Sequence, residues 1–461
     1  MKTILSKVKF MLIAMMLLVG VTAVFADDGS TDPLITLNVK AGTLYKMIPE
    51  SRRSKITNLK LTGQLNTEDI DIICDMGKST YFPEATYDGN LQYLDIEDAI
   101  FDNSVSRDKT LWRMDRLRSV KLPKNLTEIG HEFLGDCDNL VSVKLPPALE
   151  KIESDAFYGS GNITSIKLDR DNPYYYSEDS VLFNRDKTEI IFAVNLISYT
   201  VPNSVLRIGE NSFSNNCKGL KSLFLPSGLE EIGDHAFYGC ESLNSLTLPL
   251  GLKKIGKAAF MLCESLNSLT LPSGLQKIED HTFCLCCGLT SISLPSGLKE
   301  IGIGAFSGCE SLKSISLPSE LTKIGDSAFR DCYGFDSSLL LPSKLTEIGS
   351  LAFYYTSFNP IYACMPTPPA IQDDSFSFYE KRYGTLYVPV NSYQDYFFSD
   401  EWGNFANIKT FEPTSVEPVF TADDASETSR YTIGGQRQDN PVKGLNIVKM
   451  NDGSVKKIMV K

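Results

Sequence analysis

Histidine and tryptophan are scarce, with three and two copies in 461 residues. That excludes a zinc enzyme built on clustered imidazoles. His131 opens HEFLG but lacks the second histidine of a zinc-protease helix. No GxSxG, HExxH or GxxxxGK[ST] occurs, which removes the common serine-hydrolase, zinc-protease and phosphate-loop chemistries. His235 and His281 share one repeat position two coils apart, about 10 Å at strand spacing. That is too far to share a metal, and both read as surface turn residues. The sequence offers no catalytic, cofactor or metal residues, and the expectation is a protein that is not an enzyme.

Cysteine is absent before Cys74, so no lipidated N-terminal cysteine follows the leader. No apolar run of 18 residues follows the first 26, which leaves no transmembrane segment once that leader is removed. Base is in deficit too. Residues 1–26 carry three lysines and no acid, and residues 429–461 carry seven basic against two acidic residues. The total is −12, so the body between carries −20. A surface that acidic repels phosphate backbones, and no nucleic-acid partner is expected.

What is present begins with an address. Lys2, Lys7 and Lys9 precede an apolar run of 17 residues ending Val24-Phe25-Ala26. A basic start, a short apolar middle and small residues at −3 and −1 read as a secretory signal peptide, residues 1–26. The expected location is the cell surface or the medium, with the periplasm as the alternative.

The body is one unit written many times. Aligning on Pro123, Pro146, Pro226, Pro249, Pro272, Pro295 and Pro318 gives L-x-S-I-x-L-P-x-x-L-x-x-I-G-x-x-A-F-x-x-C, with a 23-residue step inside each uninterrupted run. LKSLFLPSGLEEIGDHAFYGC (220–240) and LTSISLPSGLKEIGIGAFSGC (289–309) are clear copies. A unit this short cannot bury its own apolar side, so copies must stack. S-I-x-L alternates as a short strand does, and the proline ends the ladder. The glycine after Ile (Gly233, Gly256, Gly302, Gly325, Gly349) suits a bend with positive φ, although Glu153 and Glu279 take its place in two copies. Phe237, Phe260, Phe283, Phe306 and Phe329 should form one buried ladder. Cys240, Cys263, Cys286, Cys309 and Cys332 fall at the same step, so they read as a thiol ladder at the core edge; disulfides are the rival reading.

This pattern closely resembles the BspA-like leucine-rich repeats of bacterial surface proteins, over residues 56–411. The resemblance implies a right-handed repeat solenoid of about fourteen 23-residue-type coils with short parallel β-strands. It implies adhesion to host or neighbouring-cell components as the function. The expected organisation is residues 27–116 as N-terminal cap and irregular coils, 117–357 as regular repeats with an insertion near 170–194, and 358–411 as C-terminal coils and cap. An acidic linker (412–428) and a basic β tail (429–461) follow; the tail alternates apolar residues with the turn pairs Gly434-Gly435 and Asp452-Gly453, which read as short strands, and it is similar to those on secreted proteins of the same bacteria. The alternative function is a structural envelope protein or a glycan-capturing accessory.

The candidate binding residues come from the outward positions of the strands. One column is serine. The other reads Lys121, Lys144, Lys167, then Phe224, Thr247, Thr270, Ser293 and Ser316. Three stacked lysines on an acidic body invite an acidic partner. Tyr174, Tyr175 and Tyr176 in the insertion add aromatic contact area, or else cap the insertion's own core. The expected partner is a protein or glycan ligand along an extended face, on host matrix or a neighbouring cell.

Overall fold

The structure, a computed structural model, describes residues 33–81, 88–372 and 374–412, together with the backbone of strands Thr22–Phe25, Glu427–Thr432, Arg437–Gln438, Gly444–Met450 and Val455–Val460. It divides into two units, residues 1–410 and 411–461. The larger is a parallel β-solenoid of about 16 turns of roughly 23 residues. That exceeds the fourteen expected, because strand Pro33–Val39 already pairs in parallel with Asn58–Leu65 and Ala99–Phe101 pairs with the same strand. Neither of these early strands carries the Leu-Pro signature by which coils are recognised.

Each regular coil has three sides. The first bears the S-x-K or S-x-T strand. Ser119–Lys121, Ser142–Lys144 and Ser165–Lys167 pair in parallel and in register, with the middle residue buried. The second bears a two-residue strand that the sequence reading did not separate, such as Glu231–Ile232. The third is a turn in which successive coils exchange backbone hydrogen bonds. Phe237, Phe260 and Phe283 donate to Ala259, Thr282 and Ala305 at 2.8–2.9 Å.

On the third side the phenylalanines stack. Phe213, Phe237, Phe260, Phe283, Phe306, Phe329, Phe353 and Phe376 run in sequence, with ring centroids 5.0–5.6 Å apart. All eight are buried. Rings so spaced are offset-stacked and add to the burial of their area.

The cysteines lie beside them, and all eleven are unbridged. Cys263, Cys286, Cys309 and Cys332 each donate through Sγ to the carbonyl of the phenylalanine 26 residues earlier, at 3.1–3.3 Å. Burial pushes the Cys217 thiol up to about 12. These thiols therefore pack as small hydrophobes with a weak donor, and in the folded chain they carry almost no thiolate to react. Iodoacetamide on the native protein should reach Cys287 and Cys364, the two that are not fully buried. Denaturant without reductant should then release the other nine for labelling. Recovery of bridged peptides by mass spectrometry would show instead that the coils are stapled.

The glycine after Ile has a reason other than the one expected. Gly233, Gly256, Gly302, Gly325 and Gly349 do not have positive φ. A Cβ on Gly256 would sit 2.5 Å from the Asp234 amide nitrogen, and one on Gly325 would sit 2.8 Å from the Gly302 carbonyl carbon. They are glycines because two coils touch there. The left-handed residues lie further along, in two columns: one includes His235, Ala258, His281, Gly304 and Ser327 at φ 50–58°, the other Gly239, Leu262, Leu285, Gly308, Asp331 and Tyr355 at φ 56–73°. His235 and His281 are thus exposed turn residues. Among the described residues no cluster of His, Cys, Asp or Glu is placed to hold a metal ion.

The insertion forms an antiparallel hairpin and return, Tyr175–Glu178, Val181–Asn184 and Glu189–Ala193, before parallel pairing resumes with Arg207–Ile208. It divides the apolar interior in two. Leu182, Phe192 and Val194 belong to the N-terminal core, whereas Val181, Phe183 and Ile190 belong to the C-terminal one. Val181, Leu182 and Phe183 alternate between the cores, as a period of two dictates, whereas Ile190 and Phe192 serve different cores across the bulge that shifts their register against Phe183 and Leu182.

The second side also carries a charge ladder. Facing residues alternate in sign: Glu128 with Lys151, then Glu189, Arg207, Glu231 and Lys254, then Lys277, Glu300, Lys323 and Glu347. Between Lys254 and Lys277 alternation fails, and there the strand pairing stops on both the first and second sides. The third side stays bonded: Ala258, Phe260 and Leu262 donate to Asp280, Thr282 and Cys284 at 2.9 Å. Glu279 replaces a contact glycine at this junction. Glu153 does the same elsewhere yet keeps its strand pairing, and there the facing charges, Glu128 and Lys151, are opposite. Like charge is what sets the junction apart. A groove of about 310 Å³ opens there beside Lys253, Lys254 and Lys277.

At the C-terminal end Trp402 and Tyr396 close the core, donating to the carbonyls of Pro369 (2.9 Å) and Met365 (3.1 Å). Among the described residues no helix is long and apolar enough to cross a membrane. The smaller unit is a four-stranded antiparallel sheet, as the tail's alternation predicts. The turn pairs Gly434-Gly435 and Asp452-Gly453, and the linker from 413 to 426, lie outside the described residues.

Candidate functional site

The first-side face carries a column of outward-facing residues, one from each coil. Register places Lys60, Asp95, Lys121, Lys144 and Lys167 in one column. The three predicted lysines are therefore neighbours, yet two of them are engaged. Lys121 Nζ lies 3.0 Å from Asp95 Oδ2, and Lys144 Nζ lies 2.6 Å from Glu97 Oε1. Asp98 takes Lys60 and Lys124, each at 2.9 Å. Their hydrogen bonds, that of Lys124 foremost, hold its carboxyl down at about 2. The loop 95–98 thus neutralises most of the column. Lys167 is exposed and has no ion pair among the described residues. The signal was available, because Asp95 occupies the lysine column of LQYLDI.

The tyrosines lie on another side of the coil. Tyr175 accepts a hydrogen bond from the Ile152 amide (3.2 Å) and donates to the Glu150 carbonyl (3.3 Å), both next to the second-side strand Lys151–Ile152. Tyr176 has Lys187 Nζ 4.0 Å above its ring and packs on the C-terminal core. Only Tyr174 is largely exposed. Asn172 anchors the run, its Oδ1 accepting from the Tyr174 and Tyr175 amides at 2.9 and 2.8 Å.

Past the insertion the first-side column becomes Thr200, Phe224, Thr247, Thr270 and Ser293, all exposed. Phe224 is 61% exposed and faces Thr200 in register. An aromatic among hydroxyls is the one apolar anchor on this stretch, and the reading from sequence passed over it. The surface of the stack is not smooth. At the insertion joint a groove of about 350 Å³ is lined by Glu132, Asp155, Tyr158, Glu210 and His235 among others. Beside it His131 Nδ1 lies 2.9 Å from Asp155 Oδ1, and that hydrogen bond raises the imidazole above its usual value.

Comparison with known proteins places this geometry in a class. Six copies of the BspA type leucine rich repeat match residues 107–196, 188–294 and 276–403, and the chain belongs to that family. Among solved structures, a leucine-rich repeat protein from Eubacterium ventriosum is 24% identical; the match covers 74% of this chain and 93% of that one, with a TM-score of 0.54. The likeness is one of fold. A leucine rich cell surface protein from Faecalibacterium prausnitzii is 20% identical over 70% and 84% of the two chains, with a TM-score of 0.38. The pneumococcal vaccine antigen PcpA is 16% identical over 85% and 88%, with a TM-score of 0.34. No curated protein matches.

Proposed function

We propose that this chain is an exported, non-enzymatic binding protein of the bacterial surface, and that it engages a protein partner along the first-side face. The observation that carries the reading is the exposed outward column of the first side, with Lys121, Lys144 and Lys167 in register before the insertion and Thr200 and Phe224 in register after it. A lone free lysine steers an acidic partner, and an exposed ring supplies contact area at low entropy cost. Membership of a family whose repeats occur in surface proteins supports the location, as does the signal-like segment 1–26. Cleavage after Ala26 would remove strand Thr22–Phe25, which pairs antiparallel with the start of Pro33–Val39, and the parallel stack would begin at that second strand.

Protease shaving of intact cells tests the location, and a screen of the chain from residue 27 on matrix-protein and glycan arrays tests binding. With a partner in hand, Lys167→Glu should slow association several-fold at low salt, over a screening length of about 8 Å at physiological strength. Phe224→Ser should speed dissociation about tenfold. Unchanged rates for both, with binding lost on trimming the tail after Phe411, would move the binding site to the tail.

A further inference from the structure

The last coils carry a second exposed feature, of different chemistry. Tyr333, Tyr354, Tyr355, Phe378 and Tyr379 line an open groove of about 410 Å³. Four of these rings are exposed: Tyr333 55%, Tyr355 49%, Phe378 76% and Tyr379 67%. The aromatics gather through the repeat itself. The coil before Tyr355 has Asp331 at the equivalent left-handed position, and Asp331 donates its amide to the Tyr354 carbonyl. Tyr355 is held there at φ 56°, a conformation that bulky side chains rarely adopt. Its ring lies 4.3 Å from that of Tyr354 and 6.3 Å from that of Tyr333.

The rest of the lining is hydroxyl: Thr356, Ser357 and Ser377. Two of these are fixed from beneath by a buried carboxylate. Glu380, 2% exposed, accepts from Thr356 Oγ1 at 3.2 Å and from Ser377 Oγ. Both hydroxyls are buried and engaged on the inner side, Thr356 Oγ1 also meeting the Phe353 carbonyl at 2.9 Å and Ser377 Oγ accepting from the Tyr379 amide at 3.2 Å, so they fix the backbone that carries the rings; Ser357 is the exposed hydroxyl. No charged or aliphatic side chain lines the groove.

That composition selects among ligands. A phosphate or carboxylate requires cations, and an apolar helix face requires an aliphatic trough. A neutral sugar presents C–H faces that stack on exposed rings and hydroxyls that exchange hydrogen bonds with tyrosine O–H groups and with Ser357. The groove is open to solvent, which suits a chain of sugars over an enclosed small molecule.

We propose that the Tyr333–Tyr379 groove binds a neutral polysaccharide chain. The proposal is independent of the strand-face reading, because it uses other residues on other coils. The probes are soluble mixed-linkage β-glucan, xylan, α-mannan and starch, run against the full chain in affinity gel electrophoresis. Calorimetry with a hexasaccharide of whichever polymer is retained then measures the affinity. The expected result is retention by at least one polymer, unaffected by added salt. Phe378→Ala and Tyr379→Ala should each weaken it about tenfold. Both side chains are exposed, so truncation opens no core, and an unchanged thermal transition confirms the fold. Lys167→Glu and Phe224→Ser should leave retention unchanged, which separates this site from the strand face. The proposal is overturned if none of the four polymers is retained, or if retention survives loss of both rings. Displacement of the sugar only by polypeptide from this face would equally assign the groove to a protein.

Discussion

Phe306→Ala should cost about 3–5 kcal/mol, measured as a shift in urea unfolding of the C-terminal coils. The ring is fully buried and stacks on Phe283 at 5.4 Å and on Phe329 at 5.3 Å. Its carbonyl also accepts the Cys332 thiol at 3.1 Å, and its amide donates to Ala328 at 2.8 Å. Neighbouring coils are pinned by three backbone hydrogen bonds on this side, so the cavity cannot collapse and most of the cost remains. Phe306→Leu keeps part of the volume and should lose roughly half as much. A loss below about 1 kcal/mol for the alanine variant would mean that the stack tolerates a missing ring and that the strands carry the fold.

Asn172→Ala should be nearly as damaging, at about 3 kcal/mol or more, although it removes only a small side chain. The residue is 1% exposed and makes four hydrogen bonds. Its Nδ2 donates to the carbonyls of Pro147 (3.0 Å) and Leu149 (2.9 Å), while its Oδ1 takes the amides of Tyr174 and Tyr175. It is the pin between the insertion and the coil before it. Each partner stranded by truncation costs about 1–3 kcal/mol where no water replaces it. Hydrogen exchange should show the strands Tyr175–Glu178 and Val181–Asn184 losing protection first. Asn172→Asp keeps the acceptor and loses the donors, so it should retain the tyrosine turn and release only the side facing Leu149. If exchange in the insertion is unchanged in the alanine variant, the two cores hold the insertion without the pin.

What the sequence revealed followed from periodicity. The phenylalanine and cysteine columns were legible because a residue repeated every 23 positions must face the same neighbour in every coil. The alternation of the tail was legible as strands for the same kind of reason. The second-side strands were not, since two residues such as Glu231 and Ile232 show no alternation of their own. Their alternating charges carry meaning only in register, which sets each opposite a counterion. The contact glycines were assigned to the right column for the wrong reason: conformation and proximity leave the same residue in a sequence. The lysine column was found, but its neutralisation depended on Asp95, Glu97 and Asp98, in a coil too irregular to align by its prolines. The tyrosines of the insertion were read as one group, and the fold gives Tyr175 and Tyr176 to different cores. Phe224 and the terminal aromatics stood in plain view. Exposure is a property of the folded surface, and an exposed ring spells the same as a buried one.

The junction at Lys254 and Lys277 gives the solenoid an uneven elasticity. At every other boundary from Glu189 to Ile371 the second-side strands stay paired beside the third-side bonds, so a bend must stretch hydrogen bonds on at least one of those edges. Here two edges are unclamped and the third, along Ala258–Leu262, is intact. A beam fastened along one edge flexes about that edge and resists sliding. The coils on either side can therefore open and close like the covers of a book while the phenylalanine stack stays in contact through Phe260 and Phe283, 5.6 Å apart and the widest step in the series. If the face proposed above engages an extended partner, such a point of compliance would let the coils on either side settle on their own contacts without straining one another.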